Sequence, residues 1–251
     1  MKKIKYLFKK ILRLQHTYIP LPFFIYKRLF KIKFLHEIFY KYYILCFDTD
    51  FNYKKKNTVI ENQKYWLSKR SMYWHYAHLY KNRFSKRFKK IYKKHRHLFD
   101  GKRCCDLMTG LGAVYSINKI ELKNMIFVEK NKSCCTFLRK NYPKNKVVNK
   151  DWKCLKIISK KIDTLILVSG CLIYLNEKDI EFFFKITKNV KNLILVNDGT
   201  YLTDFTVWSG HNYWNIKKRL KKYNNFYKNS KIYTRESNSL YRYFVMEGKA
   251  K

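Results

Sequence analysis

Three carboxylates and two glycines carry the clearest chemical signal in this chain. The stretch Lys102-Arg103-Cys104-Cys105-Asp106-Leu107-Met108-Thr109-Gly110-Leu111-Gly112-Ala113 runs from a short apolar segment into an acid, then into two glycines before a helical pattern begins. Glycine at such a turn lets backbone approach a ligand closely and take φ values that a side chain would forbid. A second apolar run, 125–128, ends at Glu129, and a third, 147–149, is followed by Asp151. A carboxylate closing the second strand of such a unit is suited to grip the two hydroxyls of a ribose.

These acids have to be presented by strands, and the chain beyond Lys102 supplies them in alternation with helices. The apolar pattern predicts strands over 103–106, 125–128 and 147–149, with helices over 114–120 and 132–141 between them, the second stopping before Pro143. The plainest strand is 162–168, a continuous apolar run of the kind buried on both faces. A helix over 178–187 follows, with Glu177 and Asp179 placed favourably for its dipole. A fifth strand is expected over 193–196, and a closing hairpin over 231–235 and 240–246 around a turn at 236–239. Strand and helix in alternation imply a parallel α/β sheet with crossovers.

At these residues the chain resembles the class I S-adenosylmethionine-dependent methyltransferase family. That family writes its first turn as Asp-x-Gly-x-Gly-x-Gly; here Asp106, Gly110 and Gly112 match, while Met108 stands at the first glycine position. The resemblance covers about residues 102–246. It implies a Rossmann-like, mostly parallel sheet with an antiparallel C-terminal hairpin, S-adenosyl-L-methionine as cofactor, and a transferase activity. It sets Asp151 and Trp152 beside the adenine, with the alternative that Trp152 packs on the next helix. It brings Ser169 and Gly170, in the loop after the fourth strand, past the reactive sulfonium. Helices ahead of the first strand often close over the cofactor in such proteins. That makes Tyr73 and Trp74, together with Tyr174 and Trp208 from later loops, candidates for substrate contact.

Composition bounds the rest. In 251 residues, 47% hydrophobic and 18% aromatic, there is material for one sizeable core with an appendage. The net charge of +39 invites an anionic partner, but Lys makes up 45 of the 56 basic residues and Arg only 11. Phosphate recognition favours the planar Arg fork, so the bias is as well explained by drift in composition as by nucleic-acid binding. Seven cysteines with no Cys-x-x-Cys fit no disulfide framework and are expected to be small buried hydrophobes in a reducing compartment. No signal peptide or apolar span of about 20 residues is read, so the expected address is cytoplasmic.

Residues 1–58 are expected to form a basic, aromatic-rich helical extension, and 59–251 the cofactor-binding domain. Ile4, Leu7, Phe8, Ile11 and Leu12 recur at helical spacing with lysines opposite. Such a helix can lie peripherally on the inner face of an anionic membrane, or dock on its own domain. His75 and His78 share a helix face, but no third ligand is near, and no metal is expected.

A hydroxyl acceptor would need its proton removed, and the candidates are His211 and Asp198, both beyond the fifth strand. The Asn/Asp-Pro-Pro-Tyr/Phe segment common in base-amino-methylating relatives is absent after the fourth strand. The expected reaction is therefore O-methylation of a saccharide or other small hydroxyl acceptor of a cell-surface glycan or glycolipid. The alternatives are an RNA methyltransferase and a non-catalytic methyltransferase-like binding protein.

Overall fold

The computed structural model describes residues 85–168, 177–198, 227–234 and 241–249, together with positions 28, 32, 67, 71, 72, 75 and 79. Within them lie α1 (Ser85–Lys94), β1 (Cys104–Leu107), α2 (Ala113–Asn118), β2 (Met125–Glu129), α3 (Lys132–Asn141), β3 (Lys146–Asn149), α4 (Leu155–Ile158), β4 (Thr164–Val168), α5 (Glu177–Thr187), β5 (Asn192–Asp198), β6 (Tyr227–Thr234) and β7 (Tyr241–Lys249). The strands form one sheet in the order β3-β2-β1-β4-β5-β7-β6. The first five run parallel, and β7 pairs antiparallel with both β5 and β6.

Alternation along the strands divides the core into two layers. Cys105, Leu107, Leu165, Leu167, Leu193 and Leu195 face Leu155 of α4 and Phe183 and Phe184 of α5. Cys104, Phe127, Ile166, Val168, Ile194 and Val196 face Phe88 and Ile91 of α1, Val114 and Tyr115 of α2 and Leu138 of α3. Both faces are covered, which is why β4 reads as an unbroken apolar run and is buried throughout. Cys104, Cys105, Cys134 and Cys135 are buried free thiols, and Cys154 is half-buried.

Most sequence boundaries hold to within a residue or two, and the larger differences lie at the far edge of the sheet. The fifth strand continues to Asp198 because each added residue finds an antiparallel partner, ending in Asp198 opposite Tyr241. The hairpin begins at Tyr227, four residues before its expected start, and runs on to Lys249 by the same pairing. Among the described residues, no helix is long and apolar enough to cross a membrane. Residues 1–14 lie outside those described.

Candidate cofactor site at the carboxyl edge of the sheet

The turn after β1 is built from three left-handed backbone positions: Met108 at φ 56°, Gly110 at 60° and Gly112 at 65°. A non-glycine residue held there costs on the order of 1–3 kcal/mol unless its surroundings fix it. The Met108 amide does so by donating to the Val128 carbonyl at 2.8 Å, while its side chain packs against the core. Methionine thus adopts the conformation that the family's first glycine would take freely.

At both glycines the left-handed backbone disfavours a side chain, and close packing adds to this. A Cβ on Gly110 would come within 2.7 Å of Nδ1 of His75, and one on Gly112 within 3.3 Å of the Tyr142 ring. Tyr142 also donates its hydroxyl proton to the Gly112 carbonyl at 3.0 Å.

Asp106, near the end of β1, lies beneath this turn and is 2% exposed. Its Oδ2 accepts a hydrogen bond from the Thr109 hydroxyl at 2.5 Å, tying strand end to turn. Burial pushes its carboxyl up to about 7, with the Glu129 charge adding to the rise and the Thr109 and Tyr115 hydroxyls opposing it. Neither Asp106 Oδ1 nor the Tyr115 hydroxyl completes a hydrogen bond of regular geometry. Asp106 therefore acts on the site through the turn it shapes.

Glu129, closing β2, carries the site's central contact. Its Oε2 accepts from the Gly110 amide at 2.9 Å and its Oε1 from the Asn131 amide at 2.8 Å. Burial raises its carboxyl above the ordinary range, and these backbone donors hold the rise in check. A carboxylate offers about four lone-pair positions. The Gly110 and Asn131 amides take one on each oxygen and the Lys130 amide also bears on the group, which leaves acceptor capacity toward a ribose hydroxyl.

Asp151, beyond β3, accepts from the Lys153 amide at 3.1 Å and pairs with Lys130 Nζ at 3.0 Å. The three acids thus stand in the order Asp151, Glu129, Asp106 across adjacent strand ends. Trp152 is 6% exposed and packs edge-on against Phe182 and Phe183, so its indole belongs to the core beneath the site. This is the packing alternative for that ring.

A face of the preceding segment crosses the site. Ser71, Met72 and His75 are helical and fall one turn apart. The Asn131 amide donates to Ser71 Oγ at 3.3 Å, and the Cys134 thiol meets the Met72 sulfur at 3.5 Å. Thr109, Asn131 and His75 were not among the sequence candidates for cofactor contact. Asn131 could have been found as the N-cap of α3, where its side chain accepts from the Ser133 and Cys134 amides. Of the other candidates, Ser169, Gly170, Tyr73, Trp74, Tyr174, Trp208 and His211 lie outside the described residues. Asp198 is described only as the last residue of β5.

No family model matches the chain, and no curated protein matches its sequence. Solved structures do match. A SAM-dependent methyltransferase from Archaeoglobus fulgidus superposes with a TM-score of 0.51 at 16% identity, over 66% of this chain and 94% of that one. Magnesium protoporphyrin IX methyltransferase from Synechocystis, solved with bound SAH, does so with a TM-score of 0.53 at 12% identity, over 77% and 99%. This is the class I S-adenosylmethionine-dependent methyltransferase fold. The methyltransferase fold places the carboxyl edge of β1, β2 and β3, and with it Gly110, Glu129 and Asp151, where open α/β sheets bind ligands.

Proposed function

We propose that this protein is an S-adenosylmethionine-dependent methyltransferase acting on a hydroxyl of a saccharide or other small acceptor. The observation that carries the cofactor is Glu129, fixed by the Gly110 and Asn131 amides with acceptor capacity to spare. The sulfonium of the bound cofactor would supply an activated methyl group. The protein's part is alignment: Glu129 holds the ribose, Asp151 stands toward the base, and the Met108–Gly112 turn fixes the strand-to-helix path between them. Alignment alone is worth roughly 7–11 kcal/mol of barrier, against about 10²–10⁴-fold from a general base. His211 and Asp198 are the residues we assign to accepting the acceptor's proton.

The oxygen acceptor rests on the sequence after β4, which lacks the amino-methylating segment, and on the aromatic residues available to stack on a sugar face. We place the protein in the cytoplasm, with residues 1–14 against the inner leaflet. RNA is the rival acceptor, favoured by exposed Lys89, Lys90, Lys93 and Lys94 on α1.

Calorimetry with S-adenosylmethionine tests the cofactor, and no heat of binding would leave only a binding protein of this fold. Transfer of tritiated methyl groups into cell fractions then reads the acceptor. Label in RNA, with affinity falling steeply as salt rises, would replace the saccharide reading. Liposome flotation with and without residues 1–14 tests the membrane contact, and equal recovery would discard it.

A further inference from the structure

We infer that the solvent-facing side of α1 is a docking surface for the phosphate backbone of a nucleic-acid strand. This surface lies apart from the cofactor edge and uses none of the residues given to the cofactor.

Charge comes first. The ten residues of α1, Ser-Lys-Arg-Phe-Lys-Lys-Ile-Tyr-Lys-Lys, include six basic residues and no acid. A net charge of +39 over 251 residues averages only about +1.6 in every ten. Drift in composition would load the helices on both faces of the sheet alike. On the opposite face α5, eleven residues long, carries three acids against two lysines. The basic excess is concentrated on one helix.

Burial then selects the partner. Phe88 and Ile91 turn inward and are buried, while Lys89, Lys90, Lys93 and Lys94 are exposed. A helix that lies on a membrane must offer an apolar face to the acyl boundary. α1 has already buried its own in the core. A face of charge alone suits a phosphate backbone, which releases its counterions as lysines neutralise it. Lysine, a compact point charge, makes such contacts without the planar fork that reads base edges. At 1.5 Å per residue the helix is about 15 Å long, the rise of roughly four nucleotides along one strand. Asp100, the nearest acid beyond the helix, is taken up by Arg96 at 2.6 Å and by the Tyr92 hydroxyl at 3.2 Å.

Position links this surface to the site. Phe88 meets Tyr115 edge-on at 5.3 Å, in the first turn of α2, which starts from Gly112. Past the other end of α1, His95 Nδ1 stands 3.6 Å from Glu247 Oε1, at the amino edge. The helix therefore runs from the level of the glycine turn down to the amino edge, and a strand bound along it reaches the carboxyl edge.

The experiment follows the anisotropy of a labelled oligouridylate titrated with the full chain. One variant combines Lys89→Gln, Lys90→Gln, Lys93→Gln and Lys94→Gln. A control of equal charge combines Lys156→Gln, Lys160→Gln, Lys161→Gln and Lys185→Gln, all exposed on the opposite face. The α1 variant should bind at least tenfold more weakly, with a slope of log Kd against log salt shallower by roughly 2–3. The control should stay within twofold of wild type. The double variant Lys89→Gln/Lys93→Gln should lose less in the same direction, and it serves should the fourfold protein not fold. A loss in the control as large as in the α1 variant, or no loss in either, overturns the assignment. So does wild-type protein that binds no oligouridylate. Unchanged oligouridylate binding with weakened sedimentation on phosphatidylserine vesicles would give the face to a membrane and overturn it equally.

Discussion

The two ends of the parallel strands solve the same problem in opposite ways. At the amino edge, the buried side chains Thr164 and Asn192 are neutral and linked to one another, and the acids there, Asp163 and Glu247, are half-buried beside Arg103 and beside His95 and His97. Thr164 donates to the Leu98 carbonyl at 2.6 Å, Asn192 donates to Thr164 at 3.2 Å, and the Gly248 amide donates to Asn192 at 3.2 Å. This chain ties the segment before β1 to β4, β5 and β7, and no member of it can titrate. At the carboxyl edge stand Asp106 and Glu129, buried or half-buried acids whose carboxyls burial drives upward. Leaving buried charge incompletely satisfied costs stability. Such a cost concentrated at one end marks where ligand recognition, as opposed to architecture, has shaped the residues.

The sharpest way to break this contrast is to neutralise the buried acid. A carboxyl raised from 3.8 to about 7 contributes stability that is fully present below pH 3.8 and is lost as pH rises through 7. Over that window the loss can reach about 4 kcal/mol. Asp106→Asn should flatten the dependence of melting temperature on pH between 4 and 7 relative to wild type. Parallel curves for the two proteins would refute the assignment.

Next in size is Glu129→Gln. It replaces an acceptor with an amide that cannot satisfy both the Gly110 and Asn131 donors. Hydrogen bonds to charged groups contribute about 1.5–3 kcal/mol each. S-adenosylmethionine affinity should therefore fall by about 100-fold or more in calorimetry, and a fall under fivefold would remove Glu129 from the centre of the site.

Gly110→Ala should cost roughly 1–3 kcal/mol in denaturant unfolding, from the left-handed backbone and the clash with His75 together. In a His75→Ala background the steric part should vanish and the backbone part remain. Additive costs would show that the two residues do not touch. The mildest test works at the other edge. Thr164→Val strands the Leu98 carbonyl and should cost about 1–3 kcal/mol of stability while leaving cofactor affinity unchanged. A loss of affinity there would erase the division between the two ends.

How much of this was legible beforehand depends on the kind of signal. The strands that present the acids could be read because apolar runs buried on both faces are conspicuous, and the acids because each follows such a run. Glu129 needed nothing more. The part played by Asp106 could not be read, since a strand-end carboxylate looks the same whether it faces a ligand or turns inward to Thr109. Trp152 has neighbours in α5 that are remote in sequence, and no periodicity links it to Phe182 and Phe183. His75 was visible only as one of two histidines on a helix face, because nothing in the spacing says that this helix docks over a turn 35 residues later. The end of β5 moved to Asp198 because its partner β7 is supplied by chain more than forty residues further on.

The docking of Ser71, Met72 and His75 on the turn after β1 and on the start of α3 bears on where this protein can be cut. A fragment trimmed to begin at Ser85 would retain α1, each described strand and each of the three acids. It would also strip the cover from Gly110 and take away the hydroxyl that Asn131 now reaches. Shortened versions that keep the sheet but discard this earlier segment should fold around a pocket open on one side.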